Sequence, residues 1–392
     1  MSFTKEKKWK ICSYLLEKIA NNDGEYVQKT SVTFSVSANT IYRYLRDLLN
    51  EGIIIQKETR KKGQCNYELK EYWNPTFYYD TKNVLSEETI YSKDIFPLLK
   101  DLVSEKAIRI WDYAFTEMMN NAIEHSQAKL ITCTVVQTYF STKVYIIDDG
   151  IGIFEKIKQY YLKELNKKIT LDEAVSELFP GKFTTDRSNH SGEGIFFTSR
   201  AVDYFGIISD NKFFSHTRYN DYYLDDLEKL IGEGNILEGG TIVCMEVLNN
   251  TSKELRDIMD KYSNQDRGFY KTSIPLVEIF PNGNPVSRSE AKRLGSLLER
   301  FEEGLLDFKN IETVGQGFTH ELFVVFQKNH PDVVINYENA NDNVERMIQR
   351  VLITDKKSNK DSDMIITAND IKTNVVVAND NHFNEFDDEI YI

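Results

Sequence analysis

Trp111-Asp112-Tyr113-Ala114-Phe115-Thr116-Glu117-Met118-Met119-Asn120-Asn121-Ala122-Ile123-Glu124-His125 decides how the middle of this chain is read. Apolar residues at 111, 114, 115, 118, 119 and 122 have the spacing of a helix buried over most of its surface. Glu117, Asn121 and Glu124 recur at i, i+4 and i+7, which places them on one stripe of that helix. Two carboxylates and an amide oxygen stacked in so apolar a setting suit a magnesium ion beside a general base. Magnesium takes oxygen ligands and keeps several waters, so one side-chain ligand plus phosphate oxygens suffices. A Glu one turn upstream can orient a water towards a phosphate.

Three further motifs follow. Residues 144–147 (VYII) are an unbroken apolar run, read as a buried strand, that leads into Asp148-Asp149-Gly150-Ile151-Gly152. A carboxylate at a strand end can accept a hydrogen bond from an exocyclic amine, and the two glycines let backbone approach a ligand. Phe183-Thr184-Thr185 and a polar run precede Gly192-Glu193-Gly194, which opens a helix expected over 196–205. Glycines at a helix start present free amides and the positive end of the dipole, which suits phosphate. Gly239-Gly240-Thr241 starts another strand, with Thr241 able to reach a base or a bridging water.

Each motif alone is ambiguous. In this order, over residues 106–250, they resemble the N box, the two glycine boxes, the lid and the terminal Gly-Thr of the GHKL superfamily, an α/β sandwich of Bergerat type. The resemblance implies ATP and Mg2+ as cofactors. It makes Glu117 the general base and Asn121 the magnesium ligand. Asp148 would hold the adenine amino group, backed by Thr241, and Gly150 and Gly152 would form the pocket floor. Gly192 and Gly194 would hold the phosphates, with Thr185 of the lid beside them; for Lys182 and Arg187 of the lid, a phosphate contact and plain surface solvation both stay open. Glu124 and His125 extend the N box; for His125, a phosphate contact and a structural role both stay open. Glu at 117, with no phospho-acceptor hairpin preceding the domain, differs from the histidine kinases. It resembles the hydrolysing branch and the anti-sigma serine kinases, and the FTT lid followed by SGEG leans towards the latter. An additional helix is expected around 171–178.

Residues 1–70 hold 13 Lys and Arg against 8 Asp and Glu, in a chain whose net charge is −13. A basic head on an acidic body suggests that an anionic polymer meets the N-terminus. A helix is expected near 5–20, with Trp9, Ile11, Cys12, Leu15, Leu16 and Ile19 at helical spacing. A short helix follows at 26–32, then a turn and N-cap at 35–40. The next helix turns Ile41, Leu45 and Leu48 to one side and leaves Tyr42, Arg43 and Arg46 free. Two short strands flank the basic turn Arg60-Lys61-Lys62-Gly63. This order, with TxYRYLRxLxxEGII, resembles the winged helix-turn-helix of bacterial regulators. The resemblance implies DNA contacts from Thr40, Tyr42, Arg43 and Arg46 in a groove and from Lys61 and Lys62 at the wing. A protein-docking or dimerisation role stays open.

Residues 286–354 alternate helix and strand, which predicts a small α/β layer. The LDF…V.QGFTHELF…HP…ANxxVxxMI pattern resembles a STAS-like domain of unknown function found beside GHKL ATPases. Where true STAS antagonists carry a phosphorylated Ser, this chain reads Gly315-Gln316-Gly317, with Thr319 the nearest hydroxyl, which argues against self-phosphorylation.

The expectation is a multidomain α+β protein. A winged helix covers 1–72, a connector 73–105 and the GHKL-type domain 106–250. A STAS-like α/β domain covers 251–354 and an acidic, polar extension 355–392. No window offers a membrane-spanning apolar run, and the basic start lacks the apolar core of a signal peptide, so a cytoplasmic place is expected. The four cysteines form no CxxC, which argues against a zinc site or disulfide framework. The expected function is a Mg-ATP signalling ATPase whose nucleotide state controls the winged helix, through DNA, and the STAS-like module, through a protein partner. An anti-sigma-type Ser/Thr kinase and a non-hydrolysing ATP-sensing transcription regulator are the alternatives. A homodimer is compatible with all three.

Overall fold

A computed structural model describes residues 4–57, 66–83, 86–183, 192–215, 239–264, 266, 268–280 and 283–360. Lys61, Lys62, Cys65, Thr185, Arg187 and the apolar runs within 364–378 lie outside the described residues. The chain divides into two compact units. One comprises Met1–Val175 with Gly194–Ile258, the other Ser176–Glu193 with Met259–Ile392.

The first unit begins with helices α1 (Lys5–Ala20), α2 (Tyr26–Phe34) and α3 (Ala38–Asn50) and the antiparallel pair β1 (Ile54–Gln56) and β2 (Tyr67–Leu69). Thr4 caps α1 by accepting from the Lys7 amide at 3.2 Å. Ser35 ends α2 in the left-handed region, and Ser37 caps α3 by accepting from the Thr40 amide at 3.3 Å. Ile11, Leu15, Leu16, Ile19, Ile41, Tyr44, Leu45 and Leu48 form one core, against which Phe140 also packs. Trp9, expected on the apolar stripe of α1, is instead 51% exposed. Its position lies roughly a quarter-turn from the centre of that stripe.

A six-stranded sheet follows, in the order β3-β4-β5-β8-β6-β7 and antiparallel throughout. Its strands are β3 (Thr76–Asp80), β4 (Leu130–Gln137), β5 (Ser141–Asp148), β6 (Tyr204–Ser209), β7 (Lys212–Ser215) and β8 (Thr241–Leu248). Residues 73–105, read from the sequence as a connector, supply edge strand β3 and the helical turns Glu87–Ile90, Tyr91–Ile95 and Phe96–Leu99. Val144 and Ile146 of β5 face the same side as Met245 and Val243, their register partners on β8. Helix Glu105–Asn120, capped by Ser104, packs against β8 and helix Gly194–Ala201. Trp111, Phe115, Met118 and Met119 of this helix are almost fully buried, a contribution of roughly 1.5–3 kcal/mol for each large apolar side chain.

The second unit holds a parallel sheet in the order β11-β12-β13, after the short pair β9 (Ser263–Asn264) and β10 (Gly268–Phe269). Its strands are β11 (Lys271–Pro275), β12 (Glu303–Asp307) and β13 (Val334–Glu338), joined by helical crossovers as parallel strands require. Helix Arg288–Leu298 starts with a capping box between Ser287 and Glu290. Asn341 caps the last helix, Asp342–Lys360, by accepting from the amides of Asn343 and Val344. The segment 176–193, expected inside the ATPase-like domain, belongs to this unit. Among the described residues no helix is long and apolar enough to cross a membrane.

Candidate functional site

The carboxyl end of β5 is the centre of the candidate site. Antiparallel pairing sets Asp148 opposite Thr241, the first residue of β8. Asp148 is only 5% exposed and its carboxylate accepts from the Gly150 amide at 2.9 Å. The backbone amide and hydroxyl of Thr241 donate to it as well. Burial nevertheless pushes the carboxyl up to about 6, because these donors only partly offset the loss of water. Asp149 has a different role. Its exposed carboxylate accepts from the amides of Lys129 and Leu130 at 2.7 and 3.0 Å and fixes the start of β4.

Glycines crowd around Asp148. A Cβ on Gly150 would collide with the carbonyl oxygen of Ser126, and one on Gly240 with the carbonyl oxygen of Asp148. A Cβ on Gly152 would come within 2.6 Å of Asp210 Oδ2 and 2.7 Å of Ser209 Oγ. Gly152 and Gly240 also have φ of +84° and +77°, a region that disfavours any side chain. The Gly240 amide donates to the Gly150 carbonyl at 2.7 Å and ties the start of β8 to the loop.

Three residues that the sequence reading passed over complete this cradle. Ser126 accepts from the Ile151 amide through its carbonyl at 3.0 Å, and its hydroxyl donates to the Ala122 carbonyl at 2.6 Å. It thereby joins the end of the Asn121 turn to the glycine loop. Ser209 Oγ donates to the Gly240 carbonyl at 2.7 Å, and Asp210 accepts from the Glu155 amide at 3.1 Å. Glu155 lies in the first turn of helix Ile153–Glu164, where the dipole favours a carboxylate. The signal for this pair was Asp210-Asn211, both in the left-handed region at φ 52° and 57°, the marks of a two-residue hairpin turn.

Glu117 lies on the other wall. Its carboxylate sits where a Cβ on Gly194 would be, so helix Glu105–Asn120 and the start of helix Gly194–Ala201 meet closely at these two residues. Asn121 is half-buried at the end of the helix. From Asn121 to His125 the backbone widens into a π turn. A π turn adds a residue per turn, which disrupts the regular i, i+4, i+7 stripe, and Glu124 is exposed. Lys156 donates to the carbonyl of His125 and braces this turn. Among the described residues no group of three or more His, Cys, Asp or Glu side chains stands ready for a metal ion.

Gly192 and Lys182 belong to the second unit. Gly192 has φ +73°, and a Cβ there would strike the backbone of Phe183. Lys182 Nζ donates to the Arg300 carbonyl at 3.1 Å and lies 4.7 Å from the centre of the Phe301 ring. Burial lowers its pKa. In the N-terminal module Tyr42, Arg43 and Arg46 of α3 are exposed, while Thr40 is half-buried and bonded to Ser37.

Chemically, the cradle offers a buried carboxylate acceptor, backbone that can approach a flat ligand, and a second carboxylate against a helix start. No curated protein matches the chain. Residues 290–345 match the family model of the STAS-like domain of unknown function (DUF4325), so the C-terminal part of the chain carries a STAS-like domain.

Proposed function

We propose that the first unit binds Mg-ATP in a Bergerat-type (GHKL) pocket and acts as a signalling ATPase. The observation that carries this reading is Asp148. A buried carboxylate at a strand end, backed by Thr241 and enclosed by glycines that leave no space for a Cβ, suits the edge of an adenine ring. Its oxygen would accept from the exocyclic amine, and Gly150 and Gly152 would lie under the ring. Asn121 supplies one amide oxygen for magnesium, and phosphate oxygens and water would complete the shell. The ion would neutralise phosphate charge. Glu117 would take a proton from the attacking water, and the Gly194 amide at its helix start would hold a phosphate.

The α1–α3 and β1–β2 order, with Tyr42, Arg43 and Arg46 exposed, favours a winged helix that reads DNA. In this reading nucleotide state controls both that module and the STAS-like domain.

Incubation with radiolabelled ATP tests the proposal. Released phosphate supports an ATPase. Label transferred to protein points to a Ser/Thr kinase, and binding without turnover to an ATP sensor. No binding of ATP removes the pocket.

A further inference from the structure

Ser209 ends β6 and is fully buried. Its hydroxyl has a single hydrogen and two oxygens within reach, the Gly240 carbonyl at 2.7 Å and Asp210 Oδ2 at 3.1 Å. The shorter contact takes the hydrogen, and it falls on the residue just before Thr241. The Ser209 oxygen in turn accepts from the Ile153 amide at 3.1 Å. That amide also reaches the Thr241 hydroxyl oxygen at 3.2 Å, so both hydroxyls share it. With its oxygen turned to Ile153, Thr241 has its one hydrogen left for Asp148, to which it donates. A carboxylate offers about four acceptor sites. The Gly150 amide and the amide and hydroxyl of Thr241 occupy three of those on Asp148, which leaves one for an amine. Asp210 closes the arrangement by accepting from the Glu155 amide at 3.1 Å, which ties the start of helix Ile153–Glu164 to the turn after β6.

We propose that Ser209 is a positioning residue for adenine recognition. Its hydroxyl clamps the Ile153 amide and the Gly240 carbonyl on either side of Thr241, and so holds the Thr241 hydroxyl as a donor to Asp148. The proposal rests on the pocket reading above. Removing the Ser209 hydroxyl leaves the Gly240 carbonyl without that donor and frees the first residue of β8 to shift away from Asp148.

The test measures the affinity of a non-hydrolysable ATP analogue with magnesium for the unaltered chain, Ser209→Ala, Thr241→Val and the double variant. Ser209→Ala should bind roughly tenfold more weakly, the equivalent of one buried hydrogen bond. In the Thr241→Val background the same change should cost less than about twofold, because the hydroxyl it positions is already gone. The pH at which affinity falls should also move up from about 6 in Ser209→Ala, since a weaker bond from Thr241 favours the ionised Asp148 less. The charge of Asp149, which also acts on Asp148, is the same in every variant. Ser209→Cys keeps most of the volume with a much weaker donor and should repeat both effects, which covers an Ala variant that does not fold. A purely structural hydroxyl would lower the melting temperature and leave affinity and its pH midpoint unchanged. Additive losses in the double variant would show that Ser209 acts independently of Thr241. Either result overturns the proposal and leaves the pocket standing. An unaltered protein that binds no analogue overturns the pocket and the proposal together.

Discussion

The carboxylate of Glu117 occupies the space that a Cβ on Gly194 would need. The residues are far apart in sequence and come from two helices, so this contact fixes how closely the helices approach. It also explains why glycine, rather than any residue with a side chain, opens the second helix. A helix start with no Cβ leaves its amides reachable, and the carboxylate beside them is held in place.

Gly194→Ala should therefore lower stability by about 1–3 kcal/mol, the usual cost of forcing an extra methyl into a packed place. Glu117→Ala in the same chain should restore most of that loss, because it removes the atoms struck. Urea unfolding of the two single variants and the double variant checks this; strictly additive losses would mean that the two residues do not touch.

Glu117→Ala alone is expected to cut ATP hydrolysis by at least a hundredfold, the low end of what a positioned base contributes, while binding persists. Phosphate release and equilibrium binding of the analogue separate the two effects. Normal turnover by this variant would remove Glu117 from the chemistry.

Asp148 supports a pH prediction. Its folded-state carboxyl titrates at about 6, above the ordinary value of 3.8. Above about pH 6 the carboxylate is ionised and can accept from an amine; below it the carboxyl is protonated and that contact is lost. ATP affinity should fall as pH drops through 6. Stability runs the other way. A raised carboxyl is a penalty present when the group is ionised, and it is relieved as pH falls from 6 towards 3.8. Asp148→Asn should thus lose ATP affinity yet gain up to about 3 kcal/mol of stability at pH 8, a gain that shrinks near pH 4. Thermal melts at the two pH values, beside binding isotherms, measure both. A variant destabilised at pH 8 would contradict the assignment of a burial penalty to Asp148.

For the N-terminal module, Arg43→Ala and Arg46→Ala should each weaken DNA binding and reduce the dependence of log affinity on log salt by about one unit. Both side chains are exposed, so folding should be unaffected. A shift assay across a salt series reads the slope. Unchanged binding, or binding insensitive to salt, would favour a protein partner for this face.

Much of the architecture was legible because its signals are local. Helix Glu105–Asn120 follows from apolar spacing and β5 from an unbroken apolar run. Helices α1 and α3 follow from the same spacing, with an N-cap signal ahead of α3. The STAS-like reading of 286–354 rests on alternating elements, and the family model matches within it, at 290–345. Edge strand β3 escaped notice because five residues flanked by Pro75 and a polar turn carry little periodic signal. Trp9 and Glu124 were placed by ideal helical geometry, and each departs from it for a definite reason: one is off the core stripe, the other sits in a π turn.

By itself the sequence determined where strands end, where glycines sit and which helix faces are apolar, since these depend on neighbours within a turn or two. Only the tertiary structure decided that Ser126, Ser209 and Asp210 brace the glycine loop, and that Glu117 meets Gly194. It alone assigned 176–193 to the second unit. The bonds responsible there, Thr272 to Pro180 and Arg300 to Glu177, join residues 92 and 123 positions apart. A hydroxyl or guanidinium has no local preference that names so distant a partner. Its choice is made when burial removes water and one remaining group can satisfy it.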